Sequence, residues 1–227
     1  MKGNRNVVWR GIKVVLRLFK WKPKFIFLGD GFTDGAIYLS NHVASQGPLT
    51  YELHFPKTFR FWGIHNMTEG FSEKYKYLSN IYFHEKKHMP KFLAKFCAVF
   101  ATPVMGIFYW GINLLPTYHD IRLVKTIHKS INLLKDRESI IIFPENSSDG
   151  YHDVLKEYLP GFYLLAKKAY EDGIDLAIYN MYYQRKKNIV VVDKPIKFSE
   201  LLSLNLDKNR VAEMFKNRAN ELGQMSF

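Results

Sequence analysis

Short apolar runs bounded by turn-forming residues alternate along this chain with segments in which apolar residues recur at helical spacing. The apolar runs predict buried strands at residues 36–40, 59–64, 139–143, 174–179 and 188–192. Helical segments lie between most of them, so strand and helix alternate. This alternation predicts an α/β fold, a single-domain sandwich with a mixed, mostly parallel sheet flanked by helices.

Four helices are predicted around these strands from periodicity and from residues that favour helix starts. Residues 48–54 begin with a proline that suits a first helical turn. Asp120 can cap a helix in which apolar residues recur at helical spacing, and residues 161–171 and 210–222 are predicted as the remaining two helices.

The N-terminal segment is basic and amphipathic. Before the first acidic residue, Asp30, basic residues share one helical face and apolar residues form a stripe between them. This pattern is typical of a helix in the interface of an anionic membrane, and a core-packed helix with a solvated basic face remains the alternative. The predicted membrane-binding residues are Trp9, Arg10, Lys13, Arg17 and Lys20. We therefore expect a membrane-interface helix at 1–25 and an α/β domain at 26–227.

A second apolar segment, residues 96–118, contains no formal charge and is long enough to span a bilayer. Proline and glycine residues interrupt it, including Pro103, Gly106 and Gly111. We expect a buried or partly membrane-dipped helix pair in preference to a transmembrane span. The apolar segment and the basic N-terminal segment together indicate a peripheral protein on the cytoplasmic face of the cell membrane.

The chain of 227 residues has 33 basic and 21 acidic residues, a net charge of +12, which indicates an anionic partner. No zinc-finger spacing, helix-turn-helix signature or RNA-binding aromatic motif is present, so membrane lipid is favoured over nucleic acid. The single cysteine, Cys97, excludes an intramolecular disulfide and suits a reducing compartment. Histidine and acidic residues show no metal-ligand spacing, so no metal is predicted.

His42 is the candidate general base, because it follows directly on the strand predicted at 36–40. A neutral imidazole can take a proton from an alcohol near neutral pH. A second polar loop begins at Pro144, after the strand predicted at 139–143. Open α/β sheets place their sites where strands end, so the two loops are expected to face each other.

The residues around these two loops resemble the glycerolipid or lysophospholipid acyltransferases, the family of 1-acyl-glycerol-3-phosphate acyltransferases. Asn41-His42 and Phe143-Pro144-Glu145 match the start of that family's N-H-x-x-x-x-D and F-P-E-G-T-R blocks. Pro103, Gly106 and Gly111 resemble the approach to its second block, and Gly161 resembles the glycine of the helix after the third.

This resemblance implies acyl transfer from an acyl-CoA or acyl-carrier-protein thioester to a lipid hydroxyl, with a lysophospholipid or glycolipid-type acceptor and no bound cofactor. His42 would be the base, and Glu145, the second expected catalytic residue, would accept a hydrogen bond from the acceptor or stiffen its loop. A thioester is already activated, so the protein must mainly position the hydroxyl, remove its proton and stabilise the oxyanion. The expected substrate-binding residues are Asn41, Ser45, Phe143, Pro144, Asn146, Ser147, Ser148 and Gly161.

Two departures from the family pattern concern charged residues. Gly47 occupies the position of the aspartate that normally orients the histidine. Glu52 is the first candidate to replace it, and the other candidates are Asp34, Asp149, Ser45 and a backbone carbonyl. The family's phosphate-gripping arginines are also absent, which favours an acceptor that lacks a terminal phosphate or that is bound by hydroxyl and amide donors.

Two other functions remain open at this stage. A catalytically inactive relative would bind lipid or an acyl chain without transferring it, because the motif aspartate is missing. A thioesterase-like hydrolase would use water in place of the acceptor and release free fatty acid.

Overall fold

A computed structural model describes residues 7–146 and 150–227. These residues contain one sheet of eight strands with helices packed on both of its faces. The strands are β1 (Lys24–Phe27), β2 (Ile37–Ser40), β3 (Phe59–Ile64), β4 (Leu115–Thr117), β5 (Ser139–Ile142), β6 (Ala177–Gln184), β7 (Ile189–Val192) and β8 (Ile196–Lys197).

The sheet is mixed and mostly parallel. Its strand order is β1-β7-β6-β2-β5-β3-β4, with β8 paired to β6. Strand β6 pairs antiparallel with β7 and β8, whereas the other pairs are parallel. The predicted fold class, an α/β sandwich with a mixed, mostly parallel sheet, is confirmed.

Helices cover the sheet in two groups, each with its own apolar core. The helices are α1 (Val7–Phe19), α2 (Gln46–His54), α3 (Phe71–Lys76), α4 (Lys91–Ile112), α5 (Leu123–Lys135), α6 (Gly161–Glu171), α7 (Phe198–Ser203) and α8 (Lys208–Gln224). One core includes Phe162 of α6 and Phe215 of α8. The other includes Trp9 of α1, Tyr51 of α2 and Ile112 of α4.

Most predicted elements occur within a few residues of their expected positions, but two begin later than predicted. Strand β6 starts at Ala177 instead of residue 174. It continues to Gln184, because the buried run extends beyond residue 179. Helix α5 starts at Leu123, and the Asp120 carboxylate accepts hydrogen bonds from the backbone N–H and the guanidinium of Arg122. Asp120 therefore closes a turn before the helix and does not cap it.

Helix α1 packs on the domain through the face that carries Trp9, which is only 2% exposed. The Trp9 ring contacts Phe108 edge to face, and a Cβ at Gly111 would lie 2.2 Å from it. Lys13 Nζ lies 2.9 Å from the Glu52 carboxylate, and Arg17 Nε donates to the carbonyl of Leu53. Trp9 is thus buried in the domain, whereas it was predicted to bind membrane. Lys13 and Arg17 hold α1 to α2 through these bonds, and their membrane-binding role stays a prediction.

The boundary predicted at residue 25 falls within β1, which pairs with β7. Of the other two residues predicted to bind membrane, Arg10 is exposed and the ammonium of Lys20 lies 5.8 Å from the centre of the Tyr183 ring.

Residues 91–112 form one helix, α4, so the helix pair predicted in this segment is wrong. The helix continues through Pro103, which lies on its exposed side. One turn earlier, Thr102 donates a hydrogen bond to the carbonyl of Ala98. Packing along the other side of α4 holds the helix together despite the proline, because buried contacts override local propensity. Among the described residues, α4 is the one helix long and apolar enough to cross a membrane.

A π-helix, Tyr77–Lys86, continues directly from α3 and was not predicted. Ten residues is long for this rare conformation, which often marks functional sites. It packs beside α4 and ends at Lys86, close to the loop that carries His42.

Candidate functional site

The two predicted loops meet at one edge of the sheet. Strands β2 and β5 are parallel neighbours, with Leu39 opposite Ile142. The loops that follow the two strands therefore leave the sheet at the same end. The backbone N–H of His42 donates a hydrogen bond to Glu145 Oε1 at 2.6 Å. The expectation that these loops face each other is therefore confirmed.

The His42 imidazole lies between two aromatic rings. Its centre is 4.8 Å from that of Phe143 and 5.0 Å from that of Tyr151, which stacks on it at an angle of 26°. The imidazole Nδ1 is buried and has no hydrogen-bond partner among the described residues. This is the nitrogen that the family's aspartate would be expected to engage.

Burial lowers the pKa of His42 to about 4, because water can no longer solvate the imidazolium. Hydrogen bonding with the backbone of Ala44 opposes this effect, and the positive charge of Lys86 adds to it. The ring is therefore neutral at physiological pH, the form in which an imidazole can accept a proton.

The pKa of Glu145 is shifted in the opposite direction, upward. Burial raises its pKa to about 7, and the hydrogen bond from the His42 backbone only partly offsets this. Residues 145 and 158 form an isolated antiparallel bridge. The Tyr158 hydroxyl is buried without a hydrogen-bond partner among the described residues, and the nearby Glu145 carboxylate helps to raise the pKa of Tyr158. Glu145 thus changes its charge near neutral pH, close to the Tyr158 hydroxyl.

Asn41 anchors the loop to the neighbouring strand. Its Oδ1 accepts from the backbone N–H of Tyr183 at 2.7 Å, and its Nδ2 donates to the carbonyl of the same residue. With its side-chain amide occupied in this way and only 2% exposed, Asn41 fixes the backbone before His42. The substrate-binding role predicted for Asn41 stays a prediction, and the contacts seen here are structural.

The loop that follows has an unusual backbone. Val43 and Ala44 both adopt left-handed conformations, with φ of 48° and 52°. A β-branched residue rarely adopts this conformation, and such outliers cluster at functional sites. A Cβ at Gly47 would lie 2.4 Å from the carbonyl oxygen of His42, so this loop has no room for a side chain at position 47. Ser45, the next residue after Ala44, is exposed at the start of α2 without a capping hydrogen bond.

Glu52 does not replace the missing aspartate. It is 1% exposed, and its Oε1 accepts hydrogen bonds from Trp9 Nε1 at 3.0 Å and from Lys13 Nζ. Its charge therefore holds α1 against α2. Asp34 pairs with Lys57 at 3.3 Å, and Asp149 lies outside the described residues. No carboxylate is among the groups that shift the pKa of His42 within the described part of the chain.

Four of the remaining predicted substrate-binding residues lie in the described part of the chain, and each makes a contact within the protein. Phe143 contacts the His42 ring directly, and the carbonyl of Pro144 accepts from the Leu159 backbone. The Asn146 amide donates to Glu157, and Gly161 begins α6 beside the Trp62 ring. Ser147 and Ser148 lie outside the described residues.

Sequence reasoning missed the aromatic and cationic groups around His42. Tyr151 lies nine residues after Ile142, in an irregular loop, and Lys86 ends the π-helix. No spacing rule connects either position to His42, so the sequence carries no signal for them. Among residues 7–146 and 150–227, no cluster of three or more histidine, cysteine or acidic side chains could hold a metal ion.

The chain has a fold similar to that of a lipid acyltransferase. The crystal structure of the 1-acyl-sn-glycerophosphate (LPA) acyltransferase PlsC from Thermotoga maritima matches it with a TM-score of 0.50 and 15% sequence identity. The match covers 97% of this chain and 81% of that chain. At this identity the similarity concerns the fold. No protein-family model and no curated protein sequence matches the chain.

Proposed function

We propose that this chain, whose fold is similar to that of an LPA acyltransferase, is a membrane-associated O-acyltransferase. It would move a fatty acyl group from an acyl-CoA or acyl-carrier-protein thioester to the hydroxyl of a lysophospholipid or glycolipid-type acceptor. The observation that carries this proposal is the neutral imidazole of His42 beside the Glu145 loop, at the edge where β2 and β5 end.

In the proposed reaction, His42 takes the proton of the acceptor hydroxyl as its oxygen attacks the thioester carbonyl. The new C–O bond forms, the C–S bond breaks, and the proton passes to the departing thiolate. A pKa of about 4 makes the imidazole a weak base, so proton transfer must accompany the attack and cannot precede it. Glu145 accepts a hydrogen bond from the His42 backbone and so fixes the position of His42 relative to the loop that begins at Pro144.

Product analysis separates this proposal from the two alternatives. Purified protein is incubated with radiolabelled acyl-CoA or acyl-carrier protein and with lysophospholipid or glycolipid acceptors, and the products are resolved by chromatography. We expect label in acylated lipid. Label in free fatty acid alone would support a thioesterase, and binding of the acyl donor without either product would support an inactive lipid-binding protein.

A second part of the proposal is that α1 and α4 dock on an anionic membrane. Both helices carry exposed apolar side chains, and Trp9 of α1 packs against Phe108 of α4, so the two helices are in contact. The outward residues are Val7, Val14, Val15, Leu18 and Phe19 on α1, and Phe92, Phe96, Phe100, Val104, Ile107 and Trp110 on α4. Exposed apolar surface of this kind, on a chain of net charge +12, fits a lipid surface.

Charged substitutions on these faces are expected to weaken vesicle binding. Phe96, which is 62% exposed, and Leu18 are replaced by aspartate, singly and together. Each large apolar side chain buried in lipid contributes about 1.5–3 kcal/mol, so each change should lower binding at least about tenfold. Binding is measured by sedimentation with vesicles of phosphatidylglycerol and phosphatidylcholine, with and without added salt.

The matched control is Ile121→Asp, since Ile121 is 83% exposed but lies before α5, outside both helices. It should bind as the wild type does. Equal binding by the wild type and the Leu18→Asp/Phe96→Asp double variant would contradict membrane docking through α1 and α4. Point substitutions suit this test better than removal of the N-terminal segment, which would leave the buried Glu52 carboxylate without Trp9 and Lys13.

A further inference from the structure

The orientation of His42 has no carboxylate to account for it among the described residues. Position 47 lacks space for a side chain, Glu52 is bound by α1, and Asp34 pairs with Lys57. The buried Nδ1 has no hydrogen-bond partner among the described residues, which do not include Asp149. A histidine that serves as a base must nevertheless be held in one orientation, because proton transfer requires close and directed contact.

Besides the backbone of Ala44, which also interacts with the imidazole, aromatic contacts provide this restraint. Tyr151 lies nearly parallel to the imidazole with ring centres 5.0 Å apart, and Phe143 contacts it at 60° with ring centres 4.8 Å apart. Offset stacking and edge contacts at such distances are favourable arrangements of aromatic rings. Phe143 is itself held by a stacked contact with Phe61 of β3, so one side of the imidazole rests against the sheet.

Lys86 lies against the same tyrosine ring. Its Nζ is 5.7 Å from the centre of the Tyr151 ring, within the range of a cation–π contact. The ammonium also disfavours a second positive charge on the imidazole nearby. The π-helix that ends at Lys86 therefore brings a cation to the Tyr151–His42 pair.

We infer that Tyr151, together with Phe143, is a positioning residue that holds the His42 imidazole in place of the aspartate found in the acyltransferases the chain resembles. This inference rests on the proposed function for its catalytic meaning. A carboxylate and the aromatic rings have opposite effects on the charge of the imidazole. A carboxylate would stabilise the imidazolium, whereas the aromatic rings exclude water and keep the imidazole neutral.

The test is a titration of the His42 imidazole by NMR in isotopically labelled protein, in the wild type and in Tyr151→Phe, Tyr151→Leu and Tyr151→Ala variants. Among the described residues, the charged and titratable groups near the ring are Lys86 and Tyr151, and Glu145 is bound to the backbone of the same residue, so Lys86→Met is measured as well. We expect the wild type and Tyr151→Phe to titrate near pH 4. Tyr151→Ala and Tyr151→Leu should titrate at least one pH unit higher, because water then reaches the ring, and Lys86→Met should also move upward.

Kinetics supply the second readout. Tyr151→Ala and Tyr151→Leu should lower kcat at least tenfold with little change in KM, and the acid limb of the pH profile should move upward with the His42 titration. Tyr151→Phe should keep the wild-type profile, since it keeps the ring. An unmoved His42 titration in the properly folded Tyr151→Leu or Tyr151→Ala protein would overturn the inference, whatever happens to kcat.

The two arms separate this inference from the proposed function. The NMR titration needs no turnover, so the expected shifts in a protein without transferase activity would support the aromatic restraint and refute the reaction. Acyl transfer with no effect of Tyr151 on the titration would support the reaction and refute the restraint.

Discussion

Replacing His42 by alanine is expected to lower the rate of acyl transfer by a factor of about 10²–10⁴, the usual contribution of a positioned general base. The imidazole is neutral and lies where the two loops meet, and Glu145 is bound to the backbone of the same residue. The rate is measured with the thioester donor and lipid acceptor that give most product with the wild type.

Loss of the ring could also disturb the loop, because Phe143 and Tyr151 pack on both sides of it. His42→Phe is therefore the matched variant: it keeps an aromatic ring between these two residues but cannot take a proton. We expect it to be as inactive as His42→Ala and to unfold at nearly the wild-type temperature. His119→Ala, at an exposed histidine, should keep wild-type activity. Activity above a tenth of the wild type in His42→Phe would refute the role of His42 as base.

Introducing the family's aspartate by Gly47→Asp is expected to destabilise the protein and to leave acyl transfer no faster. A Cβ at this position would lie 2.4 Å from the His42 carbonyl oxygen and 3.2 Å from that of Asn41, and both neighbours are backbone atoms that cannot rotate away. Overpacking of this kind costs about 1–3 kcal/mol or more. The free energy of unfolding is measured by urea denaturation.

Gly47→Ala should show much of the same loss of stability, because the clash begins at Cβ and not at the carboxylate. Gly70→Ala is the control, since a Cβ at Gly70 would have no atom within 4 Å and the residue has no left-handed backbone. A Gly47→Asp protein that is as stable as the wild type and faster in acyl transfer would show that position 47 accepts the carboxylate, and it would remove the basis for orientation by Tyr151.

The loop around His42 explains how a glycine fits where the acyltransferases have an aspartate. With Val43 and Ala44 in left-handed conformations, the chain turns back so that Gly47 lies against the carbonyl of His42. Asn41 fixes the start of this turn through its two hydrogen bonds to Tyr183. The conformation of this loop therefore leaves no space for an aspartate at position 47.

The sequence by itself determined the fold class and the meeting of the two loops that carry His42 and Glu145. Buried strands such as 36–40 and 139–143 are continuous apolar runs, and burial on both faces of a parallel sheet requires such runs whatever the partners are. His42 and Glu145 follow two of these strands, and the carboxyl ends of parallel strands meet at one edge. Their proximity could therefore be predicted before any contact was known.

Only the tertiary structure decided which way each amphipathic element faces and what surrounds His42. The pattern of α1 fitted a lipid-facing stripe, but Trp9 faces inward because Glu52, a buried carboxylate from a distant segment, accepts its N–H. Tyr151, from a loop, and Lys86, from the end of the π-helix, approach His42 from more than 40 residues away along the chain. Such contacts depend on how elements pack in three dimensions, and the local periodicity of a sequence does not encode that packing.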